Sequence, residues 1–194
     1  MKNISNYIKT ALITGASSGI GRAIAIRLAD DGFKVAINYK NAGDKKLAVV
    51  LAKILARKTE TITLMADVTK EKEVKKMFEA VRKKFHSLDA VINNAGINQT
   101  QDFRSIKLKD FNQVLDVNLL GSVLVTKHAL PLFKKTGVGR VIFISSANVF
   151  TGSRQRAAYI ASKAGIIGLS RSLALELAPN ILVNTVVPGY INTN

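Results

Sequence analysis

Residues 14–21 read Thr-Gly-Ala-Ser-Ser-Gly-Ile-Gly. The stretch joins an apolar run, Ala11-Leu12-Ile13, to a run of helical period, Ile24, Ile26 and Leu28. A glycine-rich turn from strand to helix brings backbone N–H groups and a helix N-terminus against a pyrophosphate. In that geometry Gly15 makes the tight turn, Gly19 lets backbone approach the phosphate, and Gly21 lets the helix pack close to the sheet. Taken alone, such a turn reads equally well as loop punctuation.

Outward from the turn, the hydrophobic pattern alternates strand and helix along the chain. Strands are predicted at Thr10–Thr14, Lys34–Tyr39, Thr61–Ala66, Asp89–Asn93, Arg140–Ser145 and Ile181–Val187. Each is short and rich in Val and Ile, as strands covered on both faces are. Helices are predicted at Gly19–Asp30, Gly43–Arg57, Lys70–Phe85, Lys107–Lys134 and Gln155–Leu177. Gly32 is placed to close the first helix, and Gly137 and Gly139 to break the chain after the fourth. Strict alternation predicts an α/β fold, a doubly wound parallel sheet with right-handed crossovers and helices on both faces. By analogy with the Rossmann dinucleotide-binding fold, the strand order is 3-2-1-4-5-6 and ligand sits at the carboxyl ends of the strands.

At 194 residues and 47% apolar content, one domain with a sizeable core is expected. The absence of cysteine excludes disulfides, thiolate metal sites and a cysteine nucleophile. Met1–Thr10 is polar and lacks the apolar centre of a secretion signal, and no run approaches a membrane span, so the reading is cytoplasmic. The two histidines, His86 and His128, have no ligand partner nearby and read as exposed helix-end or surface residues, so no metal site is predicted. Lys and Arg number 29 against 13 acidic residues, a net charge of +16, which favours anionic partners. The clusters Lys45-Lys46, Lys75-Lys76, Arg82-Lys83-Lys84 and Lys134-Lys135 fall on predicted helix surfaces or ends, without interleaved aromatic residues to stack on bases. Specific nucleic-acid binding is therefore not predicted. The charge reads as a solvated surface, or as attraction to an acidic carrier protein or polyanionic substrate.

A second motif lies downstream. Tyr159-x-x-x-Lys163 places a phenol and an ammonium one helical turn apart on one face. A cation beside a phenol favours phenolate, so Tyr159 becomes a candidate for proton exchange near neutral pH. Together with Thr14–Gly21, Asn93–Gly96 (NNAG) and Pro188-Gly189 in VVPGYINT, the pair resembles the short-chain dehydrogenase/reductase family, from about residue 8 to the end. The likeness is greatest to its 3-oxoacyl-carrier-protein reductases.

That resemblance implies hydride exchange between a nicotinamide cofactor and a carbonyl or secondary alcohol. Tyr159 is then the acid or base, and Lys163 lowers its pKa and binds the nicotinamide ribose. Ser146 holds the substrate oxygen, and Asn118 perturbs its helix and anchors a water of the proton relay. Cofactor contacts are implied for Gly15, Ser17, Ser18, Gly19, Ile20, Gly21, the adenine-contacting pair Asp67-Val68, Asn93, Ala95, Gly96, Tyr159, Lys163, Pro188, Gly189, Ile191 and Thr193. Asp67 also reads as a helix N-cap before Thr69-Lys70. At the end of the second strand, Asn38-Tyr39-Lys40 lacks the carboxylate that holds a ribose 2′-hydroxyl, and Lys40 offers a charge to a 2′-phosphate. NADP(H) is preferred over NAD(H).

The substrate is left open between 3-oxoacyl-carrier-protein, a sugar and a small alcohol. Members of the family continue past Pro188-Gly189 with a helix pair over the substrate and a seventh strand. The chain stops at Asn194, so it is expected to lack that strand, to be incomplete as a domain at its C-terminus, and to be weak or inactive as written. A nucleotide-binding module without turnover is the competing reading, and a homo-oligomer is expected of the full-length form.

Overall fold

The structure is a computed structural model that describes residues 8–134 and 138–193. Its centre is a sheet of strands β1 (Thr10–Ile13), β2 (Lys34–Tyr39), β3 (Thr61–Met65), β4 (Ala90–Asn93), β5 (Gly139–Ile144) and β6 (Ile181–Val186). The order is β3-β2-β1-β4-β5-β6, as expected, and every neighbouring pair is parallel. Leu12 lies level with Ala36 on one side and Val91 on the other, so the first strand is central.

The period of two along that strand divides the core. Ala11 and Ile13 pack with Ala25 and Ala29 of α1 (Gly19–Asp30) and Leu51 and Leu55 of α2 (Ala42–Leu55). Leu12 faces the opposite layer, with Val74, Phe78 and Val81 of α3 (Glu71–Phe85) and Val125 and Ala129 of α5 (Gly121–Ala129). A third cluster seats Val141, Phe143, Ile181 and Val183 on Ile166 of α7 (Ala157–Glu176). Gly32, at φ 81, ends α1 in a Schellman arrangement: its N–H donates to Ala29 O and the Phe33 N–H to Leu28 O.

The main departure from expectation is the stretch 107–134, predicted as one helix. It divides into α4 (Leu108–Leu115), a π-helical segment Asp116–Leu120, α5, and a 3₁₀ turn at Leu130–Leu132 that contains Pro131. The Gly121 N–H donates to Asp116 O, five residues back, so an extra residue is inserted into the turn that carries Asn118. Strand ends shift by a single residue at Thr14, Ala66, Asp89, Ser145 and Val187, and the β5 start extends to Gly139. The last helix begins at Ala157 because Gln155 adopts φ 60 and Arg156 is non-helical. Two short elements were not expected, a 3₁₀ turn at Phe103–Ser105 and a helix α6 at Asn148–Thr151.

His86 is the exposed C-cap of α3, as read from the sequence. His128 is corrected: it is half-buried, and its Nε2 lies 3.0 Å from Glu71 Oε1, beside Lys127. The basic residues of 45–46, 75–76 and 82–84 are exposed; Lys135 and Gly137 lie outside the described residues. Among the described residues, no helix is long and apolar enough to cross a membrane.

Candidate active site

A cleft of about 650 Å³ opens at the carboxyl ends of the central strands, where the order reverses between β1 and β4. Its glycine wall is fastened by Thr14, the first residue of the turn, and by two asparagines from outside it. The Thr14 hydroxyl donates to Ile92 O (3.3 Å) and accepts from the N–H groups of Asn94 and Ala95 (both 3.0 Å). Asn94 Nδ2 donates to Thr14 O (2.9 Å) and Gly15 O (3.1 Å). From the other side, Asn38 Oδ1 accepts from the Gly15 N–H (3.2 Å), and its Nδ2 donates to Leu64 O and Ala66 O. Leaving the polar atoms of a buried asparagine unbonded is costly, and here their partners are the ends of β1 and β3.

The turn fits a phosphate-bearing ligand. Gly15 and Gly19 sit at φ 60 and φ 54, which side chains rarely adopt. A Cβ at Gly15 would lie 3.0 Å from Ala95 Cα, whereas one at Gly19 would meet only Thr193, at 3.7 Å. Ser18 precedes α1 without a side-chain cap, so the first N–H groups of the helix are left for an external acceptor. Gly21 is required for another reason than the one expected. A Cβ there would stand 2.5 Å from Asn94 Nδ2 and 2.6 Å from Gly15 O, so it packs against the turn rather than the sheet. Gly21→Ala is expected to destabilise the fold by about 1–3 kcal/mol through overpacking. A thermal melt checks this, at about 2–4 °C per kcal/mol.

At the far end of the cleft, Lys40 and Asp67 form an ion pair of 3.4 Å, with Val68 and Asp44 beside them. Burial acts to raise the Asp67 pKa. The Thr69 N–H (3.0 Å) and hydroxyl (2.8 Å), together with Lys40, outweigh it and hold the carboxyl below its ordinary value. The helix N-cap reading of Asp67 is corrected: α3 begins at Glu71 with Lys70 as its N-cap, and Asp67 closes the turn before it through Thr69 while lining the cleft.

At the near end, Tyr159, Lys163 and Ser146 converge on the cleft. Lys163 is only 5% exposed; its Nζ donates to Ile144 O (2.7 Å) and lies 5.9 Å from the Tyr159 ring centre. Burial lowers its pKa to about 8. Two serines end β5, and their bonds distinguish them. Ser145 Oγ donates to Lys163 O (2.8 Å), so its proton is engaged. Ser146 Oγ accepts from the Asn148 N–H (3.3 Å), which leaves its own O–H for a ligand.

Of the residues singled out from the sequence, Gly15, Ser17, Ile20, Lys40, Asp67 and Val68 line the cleft, as do Ala95, Gly96, Pro188, Gly189 and Thr193. Ser18, Gly19 and Gly21, at the start of α1, are not part of that lining, Ser18 being exposed and Gly21 buried, and Ile191 is 56% exposed and outside it. Asn93 is corrected: its side chain points away from the cleft and donates to Thr126 Oγ1 (3.0 Å), while Asn94 takes the place at the wall. Asn118, 1% exposed, stands behind the cleft. It grips the Ile97 backbone, accepting from its N–H (2.8 Å) and donating to its O (3.0 Å). The sequence reading missed Asn38, Asp44, Asn94 and Ser162. An asparagine inside the apolar run Val35–Tyr39 was the available signal for Asn38, because a buried amide must be bonded.

The family model for short chain dehydrogenases matches residues 9–194. A 3-oxoacyl-(acyl-carrier-protein) reductase of Staphylococcus aureus is 41% identical over 184 residues, 94% of this chain and 74% of that protein. The corresponding reductase of a Synechocystis species is 41% identical over 187 residues, 96% of this chain and 75% of its own length. Among solved structures, a blue fluorescent protein from a metagenomic library, in complex with NADPH, superposes with a TM-score of 0.90. That pair shares 31% identity and covers 96% of this chain and 76% of the other.

Proposed function

The chain belongs to the short-chain dehydrogenase family and is an oxidoreductase, and on that premise we propose that it uses NADP(H) to interconvert a ketone and a secondary alcohol. The substrate class we favour is a 3-oxoacyl group borne on an acidic carrier protein. One observation carries the reading: a single cleft holds a phosphate-fitting glycine turn and Lys40 at one end, and Tyr159, Lys163 and Ser146 at the other.

When bound, the cofactor supplies or accepts the hydride. The rest is the chain's own work. The Ser146 hydroxyl donates to the substrate oxygen and orients it, so that growing negative charge there meets a donor already in place. The Tyr159 hydroxyl gives its proton to that oxygen in reduction and takes it back in oxidation. Lys163 in its cationic form stabilises the phenolate left behind. The names of the carrier-protein reductases support the substrate class, and the exposed lysines of α2 and α3 suit an acidic partner. NADPH bound to a 31% identical protein, and a cationic Lys40 at the adenosine end, support the cofactor.

A panel of 3-oxoacyl, sugar and small ketone substrates, followed by cofactor absorbance with NADPH and NADH in parallel, tests the proposal. Reduction of none of them, or reduction with NADH alone, contradicts it. Lys40→Ala is expected to raise KM for NADPH about 10-fold, the loss of one charge-assisted hydrogen bond, and to leave KM for NADH unchanged.

A further inference from the structure

We propose that Ser162, which no catalytic motif of the sequence reading includes, is a positioning residue. It ties the acid Tyr159 to the backbone that floors the cleft, and so governs turnover rather than substrate affinity. The proposal rests on the oxidoreductase reading for its kinetic readout only.

Ser162 is fully buried, and its hydroxyl works in both directions. It donates to Tyr159 O at 2.7 Å and accepts from Asn118 Nδ2 at 2.9 Å. Asn118 in turn holds both polar groups of the Ile97 peptide. An unbroken polar chain therefore runs from Ile97, on the cleft wall, through Asn118 and Ser162 to the residue that bears the phenol. It exists because of the π-helical insertion. The extra residue turns Asn118 inward, and Ser122 Oγ donates to the Asn118 carbonyl (2.9 Å). Glycines let the elements approach closely here. A Cβ on Gly165 of α7 would stand 2.9 Å from Leu119, and one on Gly96 would stand 3.1 Å from Asn118 Oδ1.

The opposite side of the same helical turn is anchored separately, by Ser145 on Lys163 O and by Lys163 Nζ on Ile144 O. The turn carrying Tyr159 and Lys163 is thus held by β5 on one side and by the π-helical segment on the other. Among the described residues, Ser162 supplies the hydrogen-bonded link by which the second attachment reaches Tyr159. Proton transfer is steep in distance, and a displacement of about 1 Å lowers rate about 100-fold. A partial release of the turn is therefore read in kcat.

The test compares Ser162→Ala with Ser170→Ala, a buried serine farther along α7 and away from the cleft. It also includes Asn118→Ala and the Ser162→Ala/Asn118→Ala double variant. Kinetics use NADPH and the best ketone of the panel, and amide exchange at Ile97 is followed in the cofactor-free chain. Ser162→Ala is expected to lower kcat about 10-fold with KM within about twofold. The double variant should be no slower than Asn118→Ala, because both act through one chain of contacts. Exchange at Ile97 should quicken in Ser162→Ala and not in Ser170→Ala. A kcat within about twofold of the unaltered chain, an equal loss in Ser170→Ala, or multiplicative effects in the double variant overturns the proposal. If the unaltered chain reduces no ketone, the functional reading fails, and unchanged Ile97 exchange in Ser162→Ala still overturns this one. Should Ser162→Ala not fold, Ser162→Cys, similar in size and a weaker hydrogen-bonding group, carries the same expectations.

Discussion

Tyr159→Phe is expected to lower kcat/KM by about 10²- to 10⁴-fold, the range for loss of a positioned general acid. The fold and the affinity for cofactor are expected to stay as they are. Tyr159 is half-buried, and its hydroxyl has no hydrogen bond to any other described residue, so its removal leaves no partner unsatisfied. Surface-like changes of this kind stay within about 0.5 kcal/mol. The remaining rate comes from the Ser146 donor and from orientation in the cleft. Steady-state kinetics beside a denaturation curve and a cofactor titration check all three parts. A variant that keeps its rate moves the acid elsewhere and removes the centre of the proposed mechanism.

Lys163→Met is expected to separate activity from stability. Its effect on rate should reach about 10²- to 10³-fold, since a charge aimed at the forming phenolate is lost. Its effect on stability depends on pH. Burial lowers the Lys163 pKa from 10.5 to about 8, a penalty on the charged form of about 3 kcal/mol. Below pH 8 that penalty is fully present. Between about 8 and 10.5 the unfolded chain keeps a proton that the folded chain has released, so stability gained from this group rises with pH across that window. The methionine variant has no such group. Its stability relative to the unaltered chain is therefore greatest at neutral pH, reduced by the Ile144 carbonyl left without its donor, and declines through the window. Urea midpoints at neutral pH and above pH 10 measure the difference, and a difference independent of pH contradicts the buried-cation account. The same titration predicts that kcat/KM for reduction falls above about pH 8 in the unaltered enzyme.

How far the sequence was legible depended on the range of the interactions involved. The strands were readable because each is a short run of four to six residues dominated by apolar and β-branched side chains. Tyr159 and Lys163 were readable because helical period brings i and i+4 together without help from the rest of the chain. The inserted residue at Asn118 was not readable. A continuous apolar pattern from 107 to 134 does not register one unpaired hydrogen bond, and the insertion is stabilised by Ser122, Ile97 and Ser162. The choice between Asn93 and Asn94 was equally hidden. Two adjacent asparagines at a strand end point to opposite faces, and only the partner waiting on each face, Thr126 or the glycine turn, tells which one meets the cleft.

Local pattern sufficed for the α/β order, the parallel sheet, the glycine turn and the paired phenol and amine, because period and turn chemistry act over a few residues. Folding had to assign the rest: which serine keeps a free hydroxyl, which cation pairs with Asp67, and how buried Lys163 becomes. Those properties come from contacts between residues up to 81 positions apart, such as Thr14 and Ala95, and from exclusion of water, neither of which is carried by any one segment.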